Sequence, residues 1–156
     1  HDTPRLSTEC TGRKDSLMLA AALQYTYIGI PYIYYGTEVG MKGTNDPYSR
    51  RCMVWDEDKQ DKSILSFFKE LNRLRKEHKA LIHGELKRVE ARDMVLSFIR
   101  EYQEERLLIV INNSQEEERL TTDYALQEEL LTKEIIGDDS SEIIMKPMTF
   151  KIFKLK

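Results

Sequence analysis

Hydrophobic positions near the start of the chain follow a helical period and then stop. The run LMLAAALQYTYI follows Asp15 and Ser16, two residue types that cap helices well, and it closes at Gly29 with Pro31 just beyond. The pattern predicts a mostly apolar helix over 15–28, of the kind that lies against a sheet.

A second helix is predicted from apolar side chains at the i, i+3, i+4, i+7 spacing. The apolar positions are Ile64, Phe67, Phe68, Leu71 and Leu74. Charged residues occupy the opposite face, and either Asp61 or Ser63 can cap the first turn. We therefore expect an amphipathic helix that begins close to residue 62.

Between these helices the pattern predicts a short strand and then a long loop. Tyr32–Gly36, with the sequence YIYYG, is aromatic and β-branched, as is typical of a buried strand. Residues 37–60 follow neither period and are rich in Gly, Asn, Asp and Pro. Loops longer than about 12 to 15 residues in compact domains are usually functional or disordered. The apolar side chains of Met41 and Trp55 indicate an ordered loop.

After Gly84 the hydrophobic period changes from helical to two residues. The stretches VLSFIRE and RLLIVINNS predict two strands joined by a charged turn over 102–105. Similar alternation recurs over 142–145 and 149–155. These strands predict a small antiparallel β-sandwich.

The two halves together predict a fold of the α/β plus all-β class. A lone buried strand with two helices cannot cover its own edges, so residues 1–83 are expected to be the last part of a larger α/β domain. Residues 84–156 are expected to form a self-sufficient β domain. The chain opens on His1 and Asp2, with no methionine and no lead-in, which adds the expectation that it is a fragment.

Composition and charge exclude several classes of protein. The chain is 40% hydrophobic and 33% charged, which suits a globular protein with a core. The net charge of −3 comes without a basic stripe and argues against nucleic acid as a partner. The longest apolar stretch, Tyr25–Tyr35, contains Gly29 and Pro31 and is shorter than the ~20 residues of a membrane helix, so no membrane contact is expected.

The two cysteines, Cys10 and Cys52, lie far apart without a CxxC motif or a histidine pair at ligand spacing. They predict reduced thiols in a cytoplasmic protein rather than a disulfide or a metal site. No metal and no cofactor is expected.

Four motifs in a fixed order resemble one known family. They are HDTPR over 1–5, GIPYIYYGTEVGMKG over 29–43, DPYSRRCMVWD over 46–56 and LRKEHKAL over 74–81. Followed by a β domain, they resemble the carboxyl-terminal portion of the α-amylase family of glycoside hydrolases, in particular the neopullulanase, cyclomaltodextrinase and maltogenic amylase group. The resemblance covers the whole chain and is densest before residue 82.

The resemblance implies an incomplete (β/α)8 barrel, of which this chain holds the last strand and helices, followed by the β-sandwich. It implies a retaining hydrolase of α-1,4 glucosidic bonds in maltooligosaccharides, cyclodextrins or pullulan, with α-1,6 bonds left open. The family's nucleophile and general acid would lie upstream of residue 1. The 156-residue chain would then be inactive by itself.

The resemblance also implies roles for particular residues. Asp2 would be the transition-state stabiliser, and His1 would hydrogen-bond the same sugar. Asp46 and Arg50 would bind substrate, and their alternative interpretation is an Asp-Pro turn with a surface ion pair. Tyr48 departs from the commoner DPDxR pattern of the group, which leaves the fine substrate preference open.

Aromatic and acidic residues beside these motifs have two interpretations. Tyr34, Tyr35 and Trp55 could stack on sugars, although aromatic side chains beside a buried strand more often belong to a core. By resemblance, Glu38 would be an acid at the barrel end that supports the site.

The expected partners are an α-glucan oligosaccharide and the upstream part of the same enzyme, and a homodimer of the parent is left open. For residues 84–156 two interpretations compete, a non-catalytic glucan-binding module and a purely structural domain. The few aromatic side chains in its strands favour the structural role.

Overall fold

The computed structural model describes residues 1–137 and 141–156. Helices and single 3₁₀ turns precede residue 84, and strands follow it. The described α-helices are α1 (Leu6–Glu9), α2 (Lys14–Thr26), α3 (Lys62–Glu77) and α4 (Lys79–His83). The 3₁₀ turns are Thr37–Val39, Tyr48–Arg50 and Glu57–Lys59. No helix in the described part of the chain is both long and apolar enough to cross a bilayer.

Helix α2 begins and ends earlier than its sequence predicts. Its N-cap is Arg13, which makes no side-chain cap hydrogen bond, so the prediction that Asp15 or Ser16 caps the helix is wrong. The reason is local: the Asp15 carboxylate is paired with the Arg13 guanidinium at 2.7 Å, inside the first turn. The Arg13 hydrogen bond lowers the pKa of Asp15, and a negative charge at this end suits the helix dipole.

Helix α3 confirms the amphipathic pattern. The Asp61 carboxylate accepts hydrogen bonds from the backbone N–H groups of Ser63 and Ile64, at 3.0 and 3.1 Å. These contacts satisfy two of the donors that a helix start leaves without partners. The Ser63 hydroxyl, the largest of several causes, lowers the pKa of Asp61 to about 2.

Residues 32–36 do not form the predicted buried strand. They carry no ladder hydrogen bonds, because no described strand lies beside them. The Tyr32 carbonyl instead accepts a hydrogen bond from the Gln24 side chain at 2.8 Å, and the Tyr32 ring is exposed. An extended segment needs a neighbouring strand to become part of a sheet.

The described residues of the β half form two antiparallel sheets. Their strands are β1 (Glu85–Arg92), β2 (Val95–Tyr102), β3 (Glu105–Asn112), β4 (Glu118–Thr121), β5 (Leu126–Glu129), β6 (Glu134–Ile135), β7 (Glu142–Met145) and β8 (Thr149–Leu155). The larger sheet has the strand order β1-β2-β3-β8-β5-β6, and the smaller pairs β4 with β7. The predicted strands and the 102–105 turn are confirmed, and the fold is α/β plus all-β as expected.

The two faces of the larger sheet pack against different layers. Strand β3 directs Leu107, Ile109 and Ile111 into a core with the helices, whereas Leu108 and Val110 pack toward β4 and β7. Successive side chains of a strand point to opposite faces, so a strand that is buried on both faces has apolar residues at every position. This explains the sequence LLIVI. The helices and the sandwich therefore share a core.

Arg100 lies at the junction between the helices and the sheet. Its side chain is buried on β2, and Nη1 donates to the carbonyls of Thr26 and Tyr27 at 2.6 and 2.7 Å. Nη2 donates to the carbonyl of Gly84 at 2.8 Å. Burial lowers the pKa of Arg100, and the charge of Arg75 adds to the effect. One side chain thus fixes the end of α2 and the start of the sandwich.

Replacing Arg100 with Met is expected to lower the free energy of unfolding by about 2–4 kcal/mol, because three carbonyls, two of them in buried hydrogen bonds, lose their donor. Urea unfolding at pH 7 measures the loss. Arg92→Met, at an exposed position on β1, is the matched control and should change it by less than about 0.5 kcal/mol. Equal stability of the two variants would show that Arg100 does not hold the junction.

Replacing Asp61 with Ala is expected to lower the free energy of unfolding at pH 7 by about 1 kcal/mol, the typical value of an N-cap. Because the folded pKa of Asp61 lies below its unfolded value, its contribution is present above pH 4 and is lost as the pH falls toward 2. Thermal unfolding of the unmodified chain and of Asp61→Ala, measured at several pH values, should therefore give midpoints that become equal in acid. Asp58→Ala, at an exposed neighbouring carboxylate, should show no such convergence.

Candidate functional site

The predicted transition-state stabiliser, Asp2, and the three residues predicted to bind substrate lie together in the structure. Arg50 Nη2 lies 2.7 Å from Asp2 Oδ1, and Arg50 Nε lies 3.0 Å from Asp46 Oδ1. His1 Nε2 lies 3.3 Å from the same Asp2 oxygen. Residues 48 positions apart in the chain therefore form a single polar cluster, here called the Arg50 cluster: His1, Asp2, Asp46 and Arg50.

The backbone beneath the Arg50 cluster is packed tightly. Ser49 is fully buried, and its hydroxyl donates to the His1 carbonyl at 2.9 Å. Arg50 Nε lies 3.3 Å from the same carbonyl. Gly43 allows the loop to close, because a Cβ there would lie 2.4 Å from the Tyr48 carbonyl oxygen. The first residues of the chain are thus attached to the loop at 43–50.

The side chains of the Arg50 cluster face solvent. Asp2 is 73% exposed and His1 is 63% exposed. Two carboxylates share one guanidinium, so the cluster keeps a net negative charge when His1 is neutral. Exposed ion pairs contribute little to stability, so this arrangement is not explained by folding. It leaves carboxylate acceptors and guanidinium donors open to solvent.

The neighbouring aromatic residues do not form a core, contrary to the more frequent interpretation of such a segment. Tyr34 is half-buried and Tyr35 is exposed, and the Tyr35 hydroxyl donates to the Arg51 carbonyl at 2.7 Å. Trp55 is 80% exposed, so it does not anchor the loop as its sequence suggested. The loop owes its order to Met41 and to buried Ser49 instead.

Arg5 stands out in the structure although the sequence gave little reason to select it, whereas Glu38 was already selected by resemblance. The Arg5 side chain is buried at 3% exposure, and its guanidinium lies beside the adjoining rings of Tyr34 and Tyr35. Glu38 has one carboxylate oxygen that is buried without a hydrogen-bond partner in the described chain. The position of Arg5 in the HDTPR motif was the only available signal, since burial of a charged residue has no sequence pattern.

The described part of the chain places no candidate metal-binding group and neither cysteine in the Arg50 cluster. Within residues 1–137 and 141–156, no group of three His, Cys, Asp or Glu side chains is placed to hold a metal ion. Cys10 and Cys52 are free thiols, and burial raises the pKa of Cys10. The chemistry that the Arg50 cluster offers is hydrogen bonding to hydroxyl groups and negative charge for a developing cation.

Comparison with known proteins shows a similarity to the α-amylase family. Residues 1–60 match the α-amylase catalytic domain family. The predicted resemblance to the α-amylase family is thereby confirmed, and the matched proteins are glycoside hydrolases of that family.

Particular relatives extend the similarity into the β half. A cyclomaltodextrinase of Thermoanaerobacter pseudethanolicus is 48% identical over 103 residues, which are 66% of this chain and 18% of that protein. An intracellular maltogenic amylase of Bacillus subtilis is 39% identical over 110 residues, 69% of this chain and 19% of that protein. A solved structure titled cyclomaltodextrinase superposes on the whole chain with a TM-score of 0.88 at 33% identity, covering 28% of its own length. The chain thus spans about a fifth of the length of the curated relatives it matches.

Proposed function

We propose that this chain supplies part of the substrate site of a retaining α-glucan hydrolase. The observation that supports the proposal is the convergence of His1, Asp2, Asp46 and Arg50 on one exposed surface. The reaction would cleave α-1,4 glucosidic bonds, with α-1,6 bonds left open, through two carboxyl groups supplied by another part of the enzyme.

Each residue of the Arg50 cluster has a role in this proposal. The Asp2 carboxylate would hydrogen-bond the sugar hydroxyls more strongly as the ring flattens and positive charge develops. This interaction would be catalytic, because it would be strongest in the transition state. His1 would donate to the same sugar. Arg50 would fix the relative position of the Asp2 and Asp46 carboxylates, and Arg50 and Asp46 together would orient the substrate.

The names of the relatives support a proposal for the substrate class and the location. Cyclodextrins and short maltooligosaccharides are proposed as substrates, because the relatives carry the names cyclomaltodextrinase and maltogenic amylase. A cytoplasmic location is proposed because one of them is named an intracellular enzyme.

A further polypeptide partner is part of the proposal. Ile28, Ile30 and Tyr32 expose large apolar side chains within one short segment, and Ile30 is 93% exposed. Such surface is usually covered in the working protein. We propose that the preceding part of the same enzyme covers it and supplies the nucleophile and general acid. Whether that enzyme forms a homodimer is a separate question.

Residues 84–156 are proposed to have a structural role. Phe98 and Phe153 are buried in the two cores, and Tyr102 and Tyr124 are half-buried, so the strands offer no open row of aromatic rings to a glucan. The division of the chain into 1–83 and 84–156 stays a prediction, because the helices and the larger sheet share a core.

The purified 156-residue chain is expected not to hydrolyse maltooligosaccharides or cyclodextrins, since it would lack both reacting carboxyl groups. Release of reducing sugar is the measurement, and the protein expressed from the complete gene is the positive control. Turnover that stays with the chain through purification, and that the Asp2→Asn substitution abolishes, would contradict the proposal that another part of the enzyme supplies the reacting carboxyl groups.

In the complete enzyme, Asp2→Asn is expected to lower kcat by about 10²-fold, or about 3 kcal/mol, with little change in KM. The amide keeps the shape of the side chain but removes the charge that opposes the developing cation. Asp46→Asn is the matched control, because Asp46 also pairs with Arg50. It is expected to lower kcat by less than about tenfold and to raise KM.

Steady-state kinetics on maltotriose and β-cyclodextrin separate the two roles. A near-normal kcat in Asp2→Asn, or equal losses in both variants, would show that Asp2 is only a surface carboxylate.

A further inference from the structure

Arg5 is buried in an arrangement that is unusual for a charged residue. Its guanidinium carbon lies 4.7 Å from the centre of the Tyr34 ring and 4.6 Å from that of Tyr35. Nη1 donates to the Tyr35 carbonyl at 2.6 Å. Nε and Nη2 are buried and have no hydrogen-bond partner in the described chain.

This burial is a poor way to stabilise the fold. A buried donor without a partner costs free energy, and the two aromatic faces return only part of it. An apolar side chain of similar length would fill the same space without that cost. The presence of an arginine therefore calls for an explanation other than stability.

The contacts of Arg5 connect the segments that carry the Arg50 cluster. The backbone N–H of Arg5 donates to the Gly43 carbonyl at 2.8 Å, and the Gly43 N–H donates to the Thr8 hydroxyl at 2.9 Å. The Tyr35 hydroxyl donates to the Arg51 carbonyl at 2.7 Å. Arg5 thus stands between the segment that begins with Asp2 and the loop that carries Arg50.

We propose that Arg5 is a positioning residue, which holds Tyr35 so that the Asp2 segment and the Arg50 loop keep a fixed separation. The guanidinium fits both requirements, since it contacts two adjoining rings and donates to a carbonyl at the same time. Lysine can supply the charge and one donor but not the planar group with several donors. This proposal rests on the proposed function, because it assigns Arg5 to the geometry of the substrate site.

The kinetic test uses the enzyme expressed from the complete gene. In Arg5→Met, kcat per folded enzyme is expected to fall about tenfold or more while KM changes less than about twofold, because a small displacement of Asp2 affects the transition state most. Arg5→Lys is expected to recover part of the loss. Arg13→Met, an exposed arginine eight residues away, is the matched control and should keep kcat within about twofold of the unmodified enzyme.

Tyr35→Phe provides a second variant if Arg5→Met does not fold. It keeps the ring against Arg5 and removes only the hydroxyl that bonds Arg51, so it should shift kcat in the same direction by a smaller factor. Activity that falls only in proportion to the folded fraction, with no recovery in Arg5→Lys, would overturn the proposal in favour of a purely structural role.

A second measurement needs no activity and is made on the 156-residue chain. The Arg50 Nε proton faces Asp46 and the His1 carbonyl, and its exchange with solvent can be followed by NMR. Arg5→Met is expected to accelerate this exchange about fivefold or more, and Arg13→Met to leave it unchanged. Unchanged exchange in Arg5→Met would overturn the positioning role. Accelerated exchange together with a complete enzyme that cleaves no α-glucan would reject the proposed function and keep the role of Arg5 in the cluster.

Discussion

The end of helix α2 must be held in place for the rest of the chain to keep its shape, and two arginines hold it, Arg100 from the sandwich and Arg75 from α3. A helix leaves its last four carbonyls without partners inside the helix. Arg100 bonds those of Thr26 and Tyr27, and Arg75 of α3 bonds that of Tyr25 at 2.8 Å. Their positive charges also suit the negative end of the helix dipole. The segment that leaves α2 therefore starts from a fixed point.

From this fixed point the segment runs past Tyr34 and Tyr35 to the loop that carries Arg50. The Tyr35 hydroxyl reaches that loop at the Arg51 carbonyl, and the Ser49 hydroxyl attaches it to the His1 carbonyl. A long loop without a regular ladder is thus held at several separate points by polar side chains. Such attachment restrains the loop without a large apolar core of its own, which suits a loop that presents charged groups to solvent.

The elements that could be predicted from sequence are those whose determinants are local. Neighbouring residues in the sequence determine the apolar period of α3, its cap Asp61 and the alternation of the strands. The elements that could not be predicted depend on distant partners. The strand expected at Tyr32–Gly36 needs a neighbouring strand that the described chain does not provide, and the start of α2 depends on the Arg13–Asp15 pair.

The site was predictable as a set of residues but not as a geometry. His1, Asp2, Asp46 and Arg50 were all selected through motif resemblance, yet nothing in their spacing indicates that one guanidinium bonds both carboxylates. Arg5 was missed because the sequence does not distinguish a buried arginine from an exposed one. Its contacts with Tyr34 and Tyr35 in the structure are what identify Arg5 as a buried arginine.

The exposure of the Arg50 cluster limits what it can do in the isolated chain. Two unit charges 4 Å apart interact by only about 1 kcal/mol in water but by about 4 kcal/mol near an effective dielectric constant of 20. Because Asp2 is 73% exposed in the isolated chain, the smaller, water-like value applies to its charge. A charge that has to favour a transition state by about 3 kcal/mol therefore needs water to be displaced from its surroundings. The exposed apolar side chains of Ile28, Ile30 and Tyr32 belong to a chain that spans only a fifth of its relatives' length, and both features argue that further polypeptide would supply that exclusion.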